Sequence, residues 1–120
     1  MTRTQTISGW LVAAAALAFL APQVHAAPEP KRIEVTARKF SFEPSEITVK
    51  KGEPVDLVLH SKDVPHGLRF RELNVDVKAG KGAQAEVKFT PGQTGTFVGH
   101  CSVFCGAGHG SMTLKMHVVD

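Results

Sequence analysis

The sequence lacks the features that define several large classes of protein. No stretch repeats apolar residues at the helical period, which argues against a helical domain. The longest uninterrupted apolar run, Trp10 to Ala21, has 12 residues and is too short to cross a bilayer as a helix. The chain also contains no internal repeat and no low-complexity segment. What remains is one small folded domain, for which 120 residues are sufficient.

Strong charge of either sign is also missing. The chain has 14 Lys and Arg against 11 Asp and Glu, and the 94 residues after Ala26 keep a net charge of +2. Charge that is so mild and so scattered excludes nucleic acid as a partner. The basic pairs Lys50-Lys51 and Arg69/Arg71 are therefore predicted to be ordinary solvated surface.

The N-terminal residues have the pattern of an export signal. A polar start with one positive charge, Arg3, precedes the apolar run, and Val24 and Ala26 are small residues where a signal peptidase cleaves. We predict a signal peptide over residues 1–26, so that the mature protein is exported, for example to the periplasm, and has no membrane span. Residues 27–32 are predicted to form a flexible N-terminal segment before a domain over residues 33–120.

From Lys31 onward, apolar residues alternate with polar ones, which is the pattern of half-buried strands. We predict strands at 33–38, 55–61, 73–78, 83–89, 96–100 and 113–119. Turn-forming segments at 50–54, 79–82 and 90–95 separate several of them. Short strands with such turns predict an antiparallel β-sandwich around one hydrophobic interior.

Cysteine is scarce, and both cysteines lie on one glycine-rich loop, VGHCSVFCGAGHGSM (98–112). The donors are spaced C-x3-C-x3-H-x2-M, at Cys101, Cys105, His109 and Met112. A disulfide here would close a very short loop and add little stability, and zinc has little use for a thioether. Thiolate, imidazole and thioether donors together select copper. We interpret the loop as a copper site, in which a disulfide can still form when the metal is absent.

The second cysteine bears on the number of metal ions. A single blue copper ion needs one cysteine, usually with two histidines and a methionine. Two thiolates can instead bridge two copper ions, each of which then needs an imidazole and a weak axial donor. His109 supplies one imidazole, and His66 in DVPHGLRF (63–70) is the best source of the other. The other histidines and the other methionine on the strands are not predicted to bind metal. His60, His100 and His117 are expected on the outer surface, and Met116 is expected in the core.

With these residues in place, the loop resembles the copper-binding loop of cytochrome c oxidase subunit II, the binuclear CuA domain of the cupredoxin family. The segments SFEPSEITVKKGEPVDLVLHSKDVPHGL and FTPGQTGTFVGHCSVFCGAGHGSM resemble the flanking strands, so the resemblance covers residues 33–119. It implies an all-β, cupredoxin-like Greek-key β-sandwich. The implied copper ligands are two bridging thiolates, one imidazole for each ion and two axial donors: Cys101, Cys105, His66, His109, Met112 and the backbone carbonyl of Val103.

The resemblance also implies a function. Such a domain carries one electron at a time and is not itself an enzyme, and we expect a monomer whose redox partner is a c-type cytochrome or a terminal oxidase or reductase. Apolar Val103 and Phe104 are predicted to limit water at the centre. Two alternatives stay open: a periplasmic copper chaperone or storage protein, and a soluble domain like oxidase subunit II that acts only when docked to a respiratory partner. Unlike that subunit, the predicted mature chain has no transmembrane helix, and its one tryptophan, Trp10, lies in the signal.

Overall fold

The computed structural model describes residues 9, 13–23 and 29–120, and nine strands lie in that part of the chain. The strands are β1 (Lys31–Arg38), β2 (Ser41–Glu43), β3 (Glu46–Lys50), β4 (Val55–Ser61), β5 (His66–Phe70), β6 (Val75–Ala79), β7 (Gln84–Phe89), β8 (Gly95–His100) and β9 (Thr113–Val119). Residues 13–23 are exposed and have no regular secondary structure. Ala26, the predicted cleavage position, lies outside the described residues, and the signal peptide stays a prediction. In the described part, no helix has the length and apolar character that a membrane crossing needs.

The strands form two sheets that enclose one core. One sheet has the order β2-β1-β4-β7 and the other has the order β3-β9-β8-β5-β6. Alternate residues of each strand face inward, and burying a Val, Leu or Phe side chain contributes about 1.5–3 kcal/mol. The largest fully buried apolar side chains are Phe70, Leu57, Leu59, Leu68, Met112, Leu114 and Met116. The two-sheet β-sandwich predicted from the alternation is confirmed.

The pairing differs from the predicted antiparallel arrangement. β1 pairs with β4 in parallel, and β3 pairs with β9 in parallel. The chain leaves the first sheet after β2 to form β3 in the second sheet and then returns, which allows strands of equal direction to become neighbours. Three short strands, β2, β3 and β5, were not among the predicted ones.

Several strand boundaries also differ by one or two residues. β1 begins at Lys31, two residues before the predicted domain start, because the Lys31 N–H donates to the Pro54 carbonyl at 2.9 Å and Lys31 pairs with Val55. Leu73, predicted to be in a strand, instead ends a short 3-10 turn, and β6 starts at Val75.

The topology gathers three connections at one end of the sandwich. Because β1 and β4 run in parallel, with Ala37 opposite Ser61, the turn after β1 and the loop after β4 lie at the same end. His66 begins β5 directly after that loop. The 101–112 loop connects β8 to β9 there as well, since His100 and Thr113 are opposite each other. We call this end of the sandwich the loop pole.

Candidate metal centre

The 101–112 loop is closed at its base and turned tightly inside. The Cys101 N–H donates to the Met112 carbonyl at 3.2 Å, so the first and last residues of the loop are held together. Within the loop, Gly106 has a φ of 132°, which residues other than glycine rarely adopt. The His109 N–H then donates to the Gly106 carbonyl at 3.1 Å and starts a 3-10 turn. This local geometry turns four side chains that are close in sequence toward one point.

The two thiols lie at the middle of the cluster, and both cysteines are free. Their Sγ atoms are 3.7 Å apart, whereas a disulfide would need about 2.0 Å. Around Cys101, the Nδ1 atom of His66 lies 3.8 Å from Sγ and the Val103 carbonyl oxygen lies 3.2 Å from it. Around Cys105, the Nδ1 atom of His109 lies 3.5 Å from Sγ and the Met112 Sδ lies 3.8 Å from it. Each thiol therefore has one imidazole nitrogen and one weaker donor beside it.

The cluster is mostly enclosed by protein. His66 and Met112 are fully buried, and Cys101 and Cys105 are 5% and 6% exposed. His109 is half-buried, so the cluster approaches solvent on that side. Burial raises the pKa of the Cys105 thiol to about 11, and the neighbouring Cys101 thiol adds to the shift. Without metal, this thiol is therefore protonated at neutral pH.

Asp63 positions His66 and was missed by the sequence analysis. Its Oδ1 atom lies 2.7 Å from Nε2 of His66 and accepts the Val64 N–H at 2.8 Å, and its Oδ2 atom accepts the Lys39 N–H at 2.7 Å. The Lys39 N–H is the main reason that the pKa of Asp63 falls to about 2, so the carboxylate is ionised at neutral pH. An ionised Asp63 holds the proton on Nε2 and leaves the lone pair of Nδ1 facing the thiols. In the sequence, this role could have been detected from the position of the Asp63 carboxylate, three residues before the proposed ligand His66.

These donors fit copper better than zinc. Soft sulfur donors and imidazole suit copper, and a distant thioether is typical of copper sites that transfer electrons. Structural zinc sites use four Cys or His ligands and no thioether. Three of the predicted ligands, His66, Cys101 and Cys105, have donor atoms that all lie within 4.8 Å of one another. The structure thus brings all the predicted ligand residues together, while their binding of metal stays a prediction.

His60, His100, His117 and Met116 lie where the sequence predicted. His100 is exposed, His60 contacts Glu34 at 3.3 Å, and His117 contacts Glu46 at 3.4 Å on the outer surface. Met116 is fully buried in the core.

The prediction that Phe104 limits water at the centre was wrong. Its side chain is 78% exposed, and its ring contacts His109 from outside with a centroid distance of 5.6 Å. The loop turns outward here because the Val103 carbonyl faces inward toward Cys101. Val103 itself is half-buried.

The ring that does cover the loop is Phe40, which was not predicted. Phe40 lies in the turn after β1 and packs against the backbone at Gly106 and Gly108. A methyl group added at Gly108 would overlap the Phe40 ring, whereas one added at Gly110 would meet nothing within 4 Å. Glycine at 108 is therefore required by the close approach of Phe40 and not by its own backbone, whose φ is −88°.

Changing Gly108 to alanine should destabilise the loop, while Gly110→Ala should not. Overpacking of this kind costs about 1–3 kcal/mol, and a surface change without a collision stays within about 0.5 kcal/mol. Denaturant unfolding of the metal-free proteins measures both values. Equal free energies of unfolding for the two variants would mean that Phe40 does not hold the loop.

Comparison with known proteins agrees with this geometry. Residues 10–114 match a family described as the cupredoxin-like domain. Cytochrome c oxidase subunit 2 of Myxine glutinosa is 32% identical over 73 residues, which are 61% of this chain and 32% of that protein. Nitrous-oxide reductase of Cupriavidus necator is 30% identical over 90 residues, which are 72% of this chain and 14% of that protein. The chain thus spans a third or less of these curated relatives.

A solved structure supports the fold as well. The periplasmic domain of subunit II of cytochrome oxidase from Bradyrhizobium japonicum superposes with a TM-score of 0.69 at 20% identity. The match covers 79% of this chain and 88% of that one. From the matched sequence, the two-sheet fold and the donor cluster at the loop pole, we conclude that the chain belongs to the cupredoxin-like family and resembles cytochrome c oxidase subunit II.

Proposed function

We propose that this chain is an exported one-electron carrier that binds two copper ions in a CuA-type centre. The observation that carries the proposal is the pairing of donors. Cys101 has the imidazole of His66 and the carbonyl of Val103 beside it, and Cys105 has the imidazole of His109 and the thioether of Met112. One metal ion would leave a buried thiol without a role, whereas two ions bridged by both sulfurs use every donor.

The chain's own residues supply what an electron carrier needs. Copper held by these residues would supply the redox chemistry, since the centre as a whole would gain or lose one electron. The loop closure at Cys101 and Met112, together with the bond from Asp63 to His66, holds the ligands in place for both oxidation states. Burial of both thiols and of His66 keeps water away from the centre. Because protein donors occupy every coordination position in this proposal, no position is open for a substrate, and we do not propose an enzyme.

The proposed location and redox partner of this chain rest on the predicted signal peptide and on the matched relatives. The predicted signal peptide over residues 1–26 supports export, and the similar Bradyrhizobium domain is periplasmic. The matched relatives are an oxidase subunit and a reductase. We therefore propose that a c-type cytochrome, a terminal oxidase or a reductase exchanges electrons with this chain.

Reconstitution with copper tests the proposal. Reduced protein that is loaded with excess copper and then desalted should contain two copper ions per chain. Its paramagnetic resonance spectrum should show one unpaired electron shared by two equivalent copper nuclei. A single copper ion with a blue-copper spectrum would contradict the binuclear centre.

The affinity for copper should rise with pH. Thiols bind metal as thiolates, and the Cys105 thiol keeps its proton up to a pKa of about 11, so binding must release that proton. Each released proton raises the apparent affinity about tenfold per pH unit. A competition titration against a Cu(I) chelator between about pH 6 and pH 8, corrected for protonation of the chelator, measures this slope. An affinity that does not change with pH would argue against ligation by these thiols.

A further inference from the structure

A cleft at the loop pole brings solvent close to the donor cluster. It has a volume of about 520 Å³, and its wall includes Cys101 and His109, two of the proposed ligand residues. Arg69, Arg71, Val98 and His100 line the rest of the wall together with Glu72 and Ser102. His100 is bonded directly to Cys101 in the chain, so this cleft offers a short covalent path from the surface to a proposed bridging thiolate.

The cations of this cleft belong to one sheet face. Arg69 on β5 lies directly opposite His100 on β8. Opposed residues of an antiparallel pair point to the same face, and both are exposed while Leu68 and Phe70 beside Arg69 are buried. Arg71 follows at the end of β5. The cations therefore form a patch on the outside of the sheet, beside the cluster.

The two arginines have no partner of their own. Within residues 29–120, other arginines form ion pairs, such as Arg32 with Asp56 at 3.5 Å and Arg38 with Glu43 at 3.9 Å, but neither Arg69 nor Arg71 contacts a carboxylate. Glu72 is the one acidic residue in the wall. Asp76, which lies opposite Arg69 on β6, pairs with Lys78 at 3.4 Å, so the positive charges on this face still outnumber the negative ones. The sequence suggested ordinary solvated surface for this pair. Its position beside the ligands changes that interpretation.

Apolar surface accompanies the charge. Val98 in the cleft is 39% exposed, and Phe104, which lies against His109, is 78% exposed. Protein interfaces are enriched in arginine and aromatic residues around an apolar centre. Unpaired cations in such a setting favour a partner of the opposite charge and increase its rate of encounter.

We propose that the surface formed by Arg69, Arg71, Val98, His100 and Phe104 is the docking site for an electron-transfer protein that presents a cluster of carboxylates. This inference rests on the proposed function, since the docked partner exchanges one electron with the copper centre through this face. The arginines attract the carboxylates, and Phe104 and Val98 supply the apolar contact next to His109.

Small redox complexes of opposite charge test whether the two arginines attract a negatively charged partner. Reduced copper protein is mixed in a stopped-flow instrument with anionic hexacyanoferrate(III), which takes one electron and becomes hexacyanoferrate(II), or with cationic tris(phenanthroline)cobalt(III), which becomes the cobalt(II) complex. The double variant Arg69→Gln/Arg71→Gln should slow the anionic oxidant about fivefold at low ionic strength, and it should not slow the cationic one. This difference should shrink at high salt.

A matched control separates local charge from net charge. The variant Lys50→Gln/Lys51→Gln also loses two positive charges, but at the far end of β9, where Lys50 pairs with Val119, about 23 Å from Met112 along the strand. With this variant, the rate of electron transfer to each oxidant should stay within about twofold of the rate for the unchanged protein. Equal slowing of hexacyanoferrate(III) by the two double variants would overturn the docking site, because only net charge would then matter. If the unchanged protein passes electrons to neither oxidant, the proposed carrier function fails instead.

Two further measurements address the partner and do not depend on the same rate. In the metal-free protein, redox-inactive hexacyanocobaltate(III) should shift the amide resonances of Arg69, Arg71 and His100 more than those of Lys50 and Lys51. A lysine-rich c-type cytochrome should be reduced more slowly than the same cytochrome after its lysines are succinylated, and Phe104→Ser should slow the succinylated form. Binding of the small anion without any preference for the acidic protein would show an anion site only and would contradict protein docking.

Discussion

Replacing Cys105 with serine is expected to lower the copper content from two ions to one per chain and to replace the spectrum of the coupled pair with that of a single copper ion. The Cys105 sulfur lies 3.7 Å from that of Cys101, where both can bridge the same two ions. A hydroxyl is a poor donor to a soft metal, so serine cannot act as the second bridge. Metal analysis and paramagnetic resonance of the reconstituted variant measure both results.

Ser102→Ala is the matched control for this substitution. Ser102 lies on the same loop, but its hydroxyl donates to Asp76 at 2.9 Å, away from the thiols. The control should keep two copper ions. Since serine at 105 also places a hydroxyl in an almost fully buried position, a cost of about 1–3 kcal/mol in the free energy of unfolding is expected, and denaturant unfolding of the metal-free variant determines whether the fold survives. Two coupled copper ions in a folded Cys105→Ser variant would contradict the bridging role.

The sequence predicted those parts of the protein that depend on local patterns. Two-residue alternation identified the long strands β7 and β9 because each has one face turned to the core. It also identified β4, although that strand is buried along almost its whole length. The donor spacing on the 101–112 loop could be read directly, since Cys101 to Met112 lie on one continuous segment. His66 was harder, because it lies on a different segment. It was selected from its position just after the predicted strand that begins at Val55, and the resemblance then implied its role as a ligand.

Contacts between distant segments could not be read in the same way. The Lys39 N–H fixes Asp63, and Phe40 covers Gly106 and Gly108, only because β1 runs parallel to β4 and ends at the loop pole. Parallel pairing leaves no local signature, as its two strands are joined through other elements. Arg69 and Arg71 were likewise interpreted as plain surface, because the pairing of Arg69 with His100 joins segments about 30 residues apart and has no local signature.

Replacing Met112 with leucine should change the reduction potential and leave copper bound. Met112 is fully buried with its sulfur 3.8 Å from that of Cys105, a distance suited to a weak axial donor that tunes the metal more than it holds it. The axial donor tunes the relative stability of Cu(I) and Cu(II), so its replacement should shift the potential. A tenfold change in the relative stability of the two oxidation states corresponds to about 59 mV for one electron, and a shift of at least this size is expected by voltammetry.

Met116→Leu provides the control, because Met116 is also a fully buried methionine but belongs to the core of β9. It should repeat any effect of lost packing, which is below about 1.5 kcal/mol for this exchange, without moving the potential.

The same pair of variants separates a carrier from a copper chaperone. A chaperone would pass its copper quickly to a Cu(I) chelator, would give no reversible redox wave, and would lose retention sharply in Met112→Leu. A carrier keeps copper in both oxidation states, so the chelator competition should give similar affinities for the unchanged protein and for both variants, while only Met112→Leu moves the wave.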